Sequence, residues 1–495
     1  MITQLQILRI EKPRLWAWGT MGIVVIIALG IRLIGLSAES AWIDEAYSIT
    51  LARFPVRQIL QGTAADQHPP LYYLILRLWT LFGDNISYVR LLSALLGTIN
   101  IIQVMVFGRK VGGERLGIGA ALLLAISPFH VWYSQEARQY ILLAVLTTAA
   151  TVELWNCLYG KRRWWLYCLF SILAIYTQYF AIFIFLAHAA IVVLWSYHQR
   201  NKRLMISWTA TMIGVGLAFA PWLPTALNQF LYHTMPWISE PGAGGVRDIA
   251  LRMLLGSGVV LLPITVRWLG LAALIGILIW VYFKFILKNP EIRWGFGFVS
   301  LWALIPFVSI SMVSMFYPVF QFKQFLIILA PLMLAVTVIA LVIPRPWGSM
   351  LFAGLVLVSG LTMVYQQSVL TKDDWRGAAY YIGTHKENGD LVFGNPAASS
   401  LALDLYWGKT LAYKGYPPNY NILQGGWAGQ PLTLQSADEH MSASTSGYKR
   451  VWLVEFYPKL WDKKEYIPSW LASHGNLLDE KSFSNIHLRL YELTP

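Results

Sequence analysis

Charge is scarce in this chain of 495 residues. Asp, Glu, Lys and Arg make up 13% of it against 57% hydrophobic residues, which excludes an ordinary soluble globule. Cysteine is nearly missing. Cys157 and Cys168 are too few for a disulfide framework or a cysteine-based metal motif. No internal repeat or low-complexity tract occurs, and residues after 370 carry neither a glycine-rich nucleotide fingerprint nor a nucleophile elbow, so that part looks accessory.

Apolar runs of roughly 20 residues, the length that crosses a bilayer, recur through the first three quarters. The sequence predicts a polytopic α-helical membrane protein with about 11 (11–13) transmembrane helices. The spans fall near 17–36, 88–108, 114–131, 138–158, 162–177, 179–197, 205–225, 268–287, 294–314, 323–343 and 347–366. The first run follows Glu11-Lys12-Pro13-Arg14 without a small-residue cleavage pattern and reads as a retained signal anchor. The 23 Trp and 25 Tyr suit membrane interfaces.

The net charge of +13 is not a nucleic-acid signal. Residues 1–366 hold 26 basic and 12 acidic residues, whereas 367–495 hold 12 and 13. The excess therefore sits in short loops, such as Lys161-Arg162-Arg163, where it sets orientation and can attract anionic membrane lipids. By this rule the protein is multi-pass in the plasma (inner) membrane, with a cytoplasmic N-terminus. Segment 247–266 reads as a helix lying on the outer surface, because a span there would put Lys284, Lys288 and Arg293 outside.

Two domains are expected: a transmembrane domain over 1–366, with long outer loops 37–87 and 226–267, and a soluble extracytoplasmic α/β or α+β domain over 367–495. In the second, Thr371-Lys372-Asp373-Asp374 resembles a capping box opening a helix through Tyr381. Strand-like runs follow at Asp390–Gly394, Arg450–Tyr457 and Ile486–Leu493.

The polar candidates cluster at the outer ends of the spans. Asp44 and Glu45 follow the first span. Gln67-His68-Pro69-Pro70-Leu71-Tyr72-Tyr73 shares their loop, and Ser134-Gln135-Glu136-Ala137-Arg138-Gln139-Tyr140 joins the third and fourth spans. Thr177-Gln178-Tyr179 and Tyr317 to Lys323 complete the set. This predicts one outward-facing cavity. Carboxylates at a membrane surface are costly to dehydrate, so they point to a base or a cation site. Arg138 and Lys323 suit an anion such as a lipid phosphate. His68, Tyr72, Tyr140, Gln178, Tyr179 and Tyr317 could line a polar substrate pocket. Each has a plainer reading: a structural hydrogen bond for His68, an ion pair for Glu136 and Arg138, interfacial packing for Tyr140, Gln178 and Tyr179.

The Asp-Glu pair after the first span, His68-Pro69-Pro70-Leu71-Tyr72-Tyr73 and Ser134-Gln135-Glu136-Ala137-Arg138-Gln139-Tyr140 resemble motifs of glycosyltransferase family 39, in the same order. That group includes protein O-mannosyltransferases and lipid A aminoarabinose transferases, on the GT-C membrane fold. The resemblance spans roughly residues 17–345. It implies a polyprenyl-phosphate sugar donor, inversion at the anomeric carbon, and a lipid, glycan or protein acceptor outside the cytoplasm. Asp44 would then be the general base, with Glu45 and Glu136 supporting it. Arg138 and Lys323 would hold the phosphate. No cofactor is certain; a divalent cation is open, with Asp44 and Glu136 as its candidate ligands. Where many relatives have Arg-Tyr, this chain has Phe322-Lys323-Gln324-Phe325, which keeps the charge but loses the bidentate fork. The rival reading is a transporter or flippase of a lipid-linked sugar, although inverted repeats and polar groups near the midplane are not evident.

Overall fold

In the computed structural model, the described residues are 15–232, 242–317, 319–369, 372–407, 412–418, 420–425, 432–458 and 462–494. The chain forms two compact units. One comprises Met1–Ile34, Arg90–Leu227 and Ile238–Leu370; the other, Gly35–Val89, Asn228–Trp237 and Thr371–Pro495. Residues of the first outer loop thus share a compact unit with the C-terminal residues.

The helices run in order α1 (Leu15–Leu33), α2 (Ile43–Ala52), α3 (Val56–Ala65), α4 (Leu71–Thr80), α5 (Ile86–Gly112), α6 (Glu114–Ala125), α7 (Pro128–Ser134), α8 (Tyr140–Leu158) and α9 (Trp164–Thr177). They continue as α10 (Ala181–His198), α11 (Lys202–Phe219), α12 (Leu223–Tyr232), α13 (Ala243–Leu255), α14 (Ile264–Val281), α15 (Pro290–Val313), α16 (Leu326–Val342) and α17 (Trp347–Val369). Seven helices among the described residues are long and apolar enough to cross a membrane, or up to nine if the bent pairs α6–α7 (64°) and α11–α12 (78°) each count as one span. The expected count of eleven also includes α1 and α9, whose apolar stretches Gly19–Leu33 and Trp164–Thr177 are shorter. No span-length helix falls between α13 and Ile264, where a short 3₁₀ turn, Ser257–Leu261, intervenes.

α16 is the centre of the helical unit. It packs against α6, α8, α15 and α17 and buries most of its side chains. By contrast, α14 exposes Leu269, Ile275, Ile279 and Trp280, and α17 exposes Leu357, Leu361 and Val364. Such apolar faces are unfavourable in water and are the natural surface of a helix in hydrocarbon. Polar groups inside the unit pair with one another. Asn100 donates to Thr148 Oγ1 at 3.0 Å, and His188 meets Thr151 at 2.9 Å and Tyr167 at 3.1 Å. The crossing of α5 and α6 depends on small residues: a Cβ on Gly108 would lie 2.8 Å from Gly117 Cα.

The second unit holds α2, α3 and α4 with the C-terminal residues. There α18 (Trp375–His385), α19 (Ser399–Trp407), α20 (Leu434–Thr445) and the helix Tyr466–His474 surround a five-stranded sheet of order β2-β1-β3-β5-β4. Its strands are β1 (Leu391–Asn395), β2 (Ala412–Gly415), β3 (Arg450–Phe456), β4 (Gly475–Phe483) and β5 (Ile486–Leu493). β1 pairs parallel with β2 and β3, and β5 pairs antiparallel with β3 and β4. The three expected strands are β1, β3 and β5; β2 is too short and β4 too exposed to show an apolar pattern. The α18 cap is Asp374, whose carboxylate accepts from Gly377 N at 2.9 Å. The proposed capping residue Thr371 lies outside the described residues, and the helix runs past Tyr381 to His385.

Candidate active site

Asp44 and Glu45 sit in the first turn of α2, where the positive end of the helix dipole favours carboxylates. Glu45 is fully buried. Its Oε2 accepts from the backbone N–H of Trp42 at 3.4 Å and lies 4.0 Å from Lys372 Nζ. Asp44 is half-buried. A third carboxylate, Asp373, belongs to the same electrostatic cluster. Burial pushes its carboxyl up to about 6; the Asn485 hydrogen bond, at 3.0 Å, opposes this, and the charges of Asp44 and Glu39 add to it.

His68 is half-buried and precedes Pro69 and Pro70, which lead into α4. Tyr72 is fully buried, edge-on to Tyr73 at 5.7 Å; Tyr73 in turn meets Tyr47 of α2 at 6.1 Å. These rings pack α4 against α2, so Tyr72 belongs to the interior that supports the acidic helix.

In the helical unit the motif 134–140 is a tight link between α7 and α8, with Arg138 N donating to Glu136 O at 2.8 Å. Glu136, Arg138, Gln139 and Tyr140 are all buried. The Arg138 guanidinium lies 5.8 Å from the Tyr140 ring centroid, and Lys323 Nζ lies 5.2 Å from the same ring. The two cations assigned to an anion therefore converge on one aromatic side chain, whose negative face partly balances them. Lys323 stands on a 3₁₀ turn, Phe322–Phe325, beside Gln324, whose Oε1 accepts from Gln178 Nε2 at 2.7 Å. Gln178 thus fixes the turn that carries Lys323. Tyr179 accepts instead from Trp222 Nε1 at 2.9 Å and meets Phe219 of α11 edge-on. Tyr317 is half-buried after the end of α15, and burial raises its phenol.

Arg252 is the cation that sequence reasoning missed. It projects from α13 with its guanidinium 4.3 Å from the Phe322 ring centroid. Tyr133, 5.7 Å from Tyr140, lies in the field of both Arg252 and Glu136. Burial pulls the Arg252 guanidinium down, and Asp248 opposes this. A basic residue on a helix already read as lying along the outer surface was the available signal. A cationic wall with aromatic faces can hold a phosphate and offset charge developing on it.

Among the described residues, no group of three or more His, Cys, Asp or Glu side chains could hold a metal ion. The candidate ligands Asp44 and Glu136 belong to different compact units.

The fold is that of the GT-C membrane glycosyltransferases. The chain is similar to ArnT from Cupriavidus metallidurans in the apo state, with a TM-score of 0.66 and 14% identity over 96% of this chain and 98% of that one. The same enzyme bound to undecaprenyl phosphate gives 0.64, again at 14% identity, over 95% and 98%. The archaeal oligosaccharyltransferase AglB from Archaeoglobus fulgidus, in complex with an inhibitory peptide and a dolichol-phosphate, gives 0.51 at 11% identity, over 95% and 74%. The resemblance to glycosyltransferase family 39 is carried by residues 67–224, which match the family described as dolichyl-phosphate-mannose-protein mannosyltransferase. No curated protein matches the chain by sequence.

Proposed function

We propose that the protein transfers a sugar from a polyprenyl-phosphate-linked donor to an acceptor on the extracytoplasmic face of the membrane, with inversion. The observation that carries this reading is the convergence of Arg138 and Lys323 on Tyr140, within a fold whose solved examples include complexes with undecaprenyl phosphate and dolichol-phosphate. In the proposed reaction the acceptor hydroxyl oxygen attacks the anomeric carbon from the face opposite the phosphate. Its proton passes to the Asp44 carboxylate, a role that needs only a partly exposed, ionised carboxyl within reach of the hydroxyl. The anomeric C–O bond breaks and its electron pair leaves with the polyprenyl phosphate, where Arg138 and Lys323 offset the developing charge.

Glu45 and Glu136 are assigned supporting roles, and His68 and Tyr317 contacts to substrate. Eleven spans, the plasma membrane, an N-terminus inside and a C-terminal domain outside complete the reading, on the distribution of Lys and Arg.

The test is transfer in proteoliposomes with labelled polyprenyl-phosphate sugars, comparing wild type and Asp44→Asn, with and without chelator. Wild type is expected to release sugar to acceptor from one donor, and the nearly isosteric variant to lose at least about 100-fold in turnover. Intact donor carried across the bilayer without release, by both proteins, sinks the transferase reading and installs the transporter. The chelator arm reads whether a divalent cation takes part.

A further inference from the structure

Four residues of the segment preceding Asp44, namely Ser37, Glu39, Ser40 and Ala41, are hydrogen-bonded to the C-terminal domain. Arg376 Nη2 donates to Ser37 O at 3.0 Å and to Glu39 O at 3.4 Å. The backbone N–H of Lys372 donates to Glu39 Oε1 at 3.1 Å. Ser40 Oγ donates to the carbonyl of Asp373 and accepts from Trp375 N at 3.1 Å. Ala41 N donates to the Tyr406 hydroxyl of α19 at 2.8 Å. The buried Lys372 ammonium, finally, lies 4.0 Å from the fully buried Glu45 carboxylate. The clamp is itself anchored: Trp375 is fully buried and packs on Phe456 of β3, ring centroids 5.1 Å apart.

These contacts are polar, directional and concentrated on the few residues that set the start of α2. Domain packing alone asks for apolar area and not for this pattern. A buried carboxylate needs a charge partner, and a lysine supplied from the far end of the sequence meets that need only when the C-terminal domain is seated.

We infer that Ser40 and the segment Lys372 to Arg376 are positioning residues, which hold the first turn of α2 so that Asp44 is presented in a fixed orientation to the acceptor. This rests on the reading of Asp44 as the general base. It makes the C-terminal domain part of the working enzyme rather than the accessory that its own sequence suggests. Each substitution acts through Asp44, so its effect falls on turnover rather than on donor binding.

The test uses the full-length protein in proteoliposomes, with kcat and donor KM measured separately for Lys372→Met, Lys372→Arg, Ser40→Ala and Asp44→Asn, alone and combined. Lys372→Met is expected to lower kcat per folded molecule about tenfold or more, with donor KM changed less than about twofold. Lys372→Arg should recover most of the loss, because it keeps the charge. In the Asp44→Asn background, Lys372→Met should cost nothing further, since the group it positions is already gone. Full additivity there, or unchanged kcat in both Lys372→Met and Ser40→Ala, overturns the positioning role and leaves the transferase reading standing. Normal turnover by Asp44→Asn removes that underlying reading instead, whatever Lys372 does. Should Lys372→Met fail to fold, Ser40→Ala, which removes no charge, carries the same comparison.

Discussion

Asp373 links stability to pH at the level of a single side chain. Its carboxyl is raised from 3.8 to about 6, chiefly because burial disfavours the charged form. A raised acid binds its proton more tightly folded than unfolded, so its contribution is largest below about pH 4 and declines as pH rises to about 6. The full decline is on the order of 3 kcal/mol, at 1.36 kcal/mol per unit. Asp373→Asn cannot ionise and escapes it. Thermal unfolding of the detergent-solubilised protein at pH 4 to 8 should show the variant gaining on wild type between pH 4 and 6, then running parallel. Parallel curves throughout would falsify the assignment. Nothing in the sequence marks this residue, because Lys372-Asp373-Asp374 reads locally as a helix cap. Its neighbours Asp44 and Glu39 lie more than 300 positions away, a distance that no local pattern spans. Asp44 was legible as a candidate only, since an acidic pair beside a long apolar run stands out without knowledge of the fold.

Among the elements, the 3₁₀ turn Phe322–Phe325 and the end of α9 depend on each other through one buried bond, Gln178 Nε2 to Gln324 Oε1 at 2.7 Å. Replacing one amide with an apolar group leaves the other buried without that partner, at a cost of roughly 1–3 kcal/mol. Gln324→Leu should therefore lower the unfolding midpoint and, by loosening the turn beneath Lys323, weaken binding of polyprenyl phosphate about threefold to tenfold. Titration calorimetry in detergent reads the second effect. Unchanged affinity with a lowered midpoint would confine the pair to a structural role. The apolar helices were visible in the sequence because period and length suffice for them. The pairing of Gln178 with Gln324 was not, since two glutamines 146 residues apart meet only once α9 and α16 are packed. β4 was hidden for a different reason: as an edge strand it buries little, and its residues alternate weakly.

For the molecule as a whole, charge distribution sets orientation. The basic excess lies in residues 1–366, at +14, and residues 367–495 carry −1; short loops rich in Lys and Arg stay in the cytoplasm. On the proposed topology Lys161-Arg162-Arg163, the exposed link before α9, is expected to be such a loop, and Ser473, exposed near the end of the helix Tyr466–His474, reports on the C-terminal domain. Two cysteines are present in the chain, so a background with Cys157→Ser and Cys168→Ser is a short step. Cys157 is buried and Cys168 is half-buried, so neither native thiol is an efficient target of its own. In right-side-out vesicles, a membrane-impermeant maleimide should label Ser473→Cys at once and Arg162→Cys only after lysis. Labelling both before lysis places the two on one face and removes the eleven-span reading, because 162 and 473 then lie an even number of crossings apart. The reverse pattern would invert the protein and put Asp44 and the C-terminal domain in the cytoplasm. A lipid-linked sugar donor outside the cytoplasm could not then be the substrate, so one labelling experiment constrains the reaction as well as the fold.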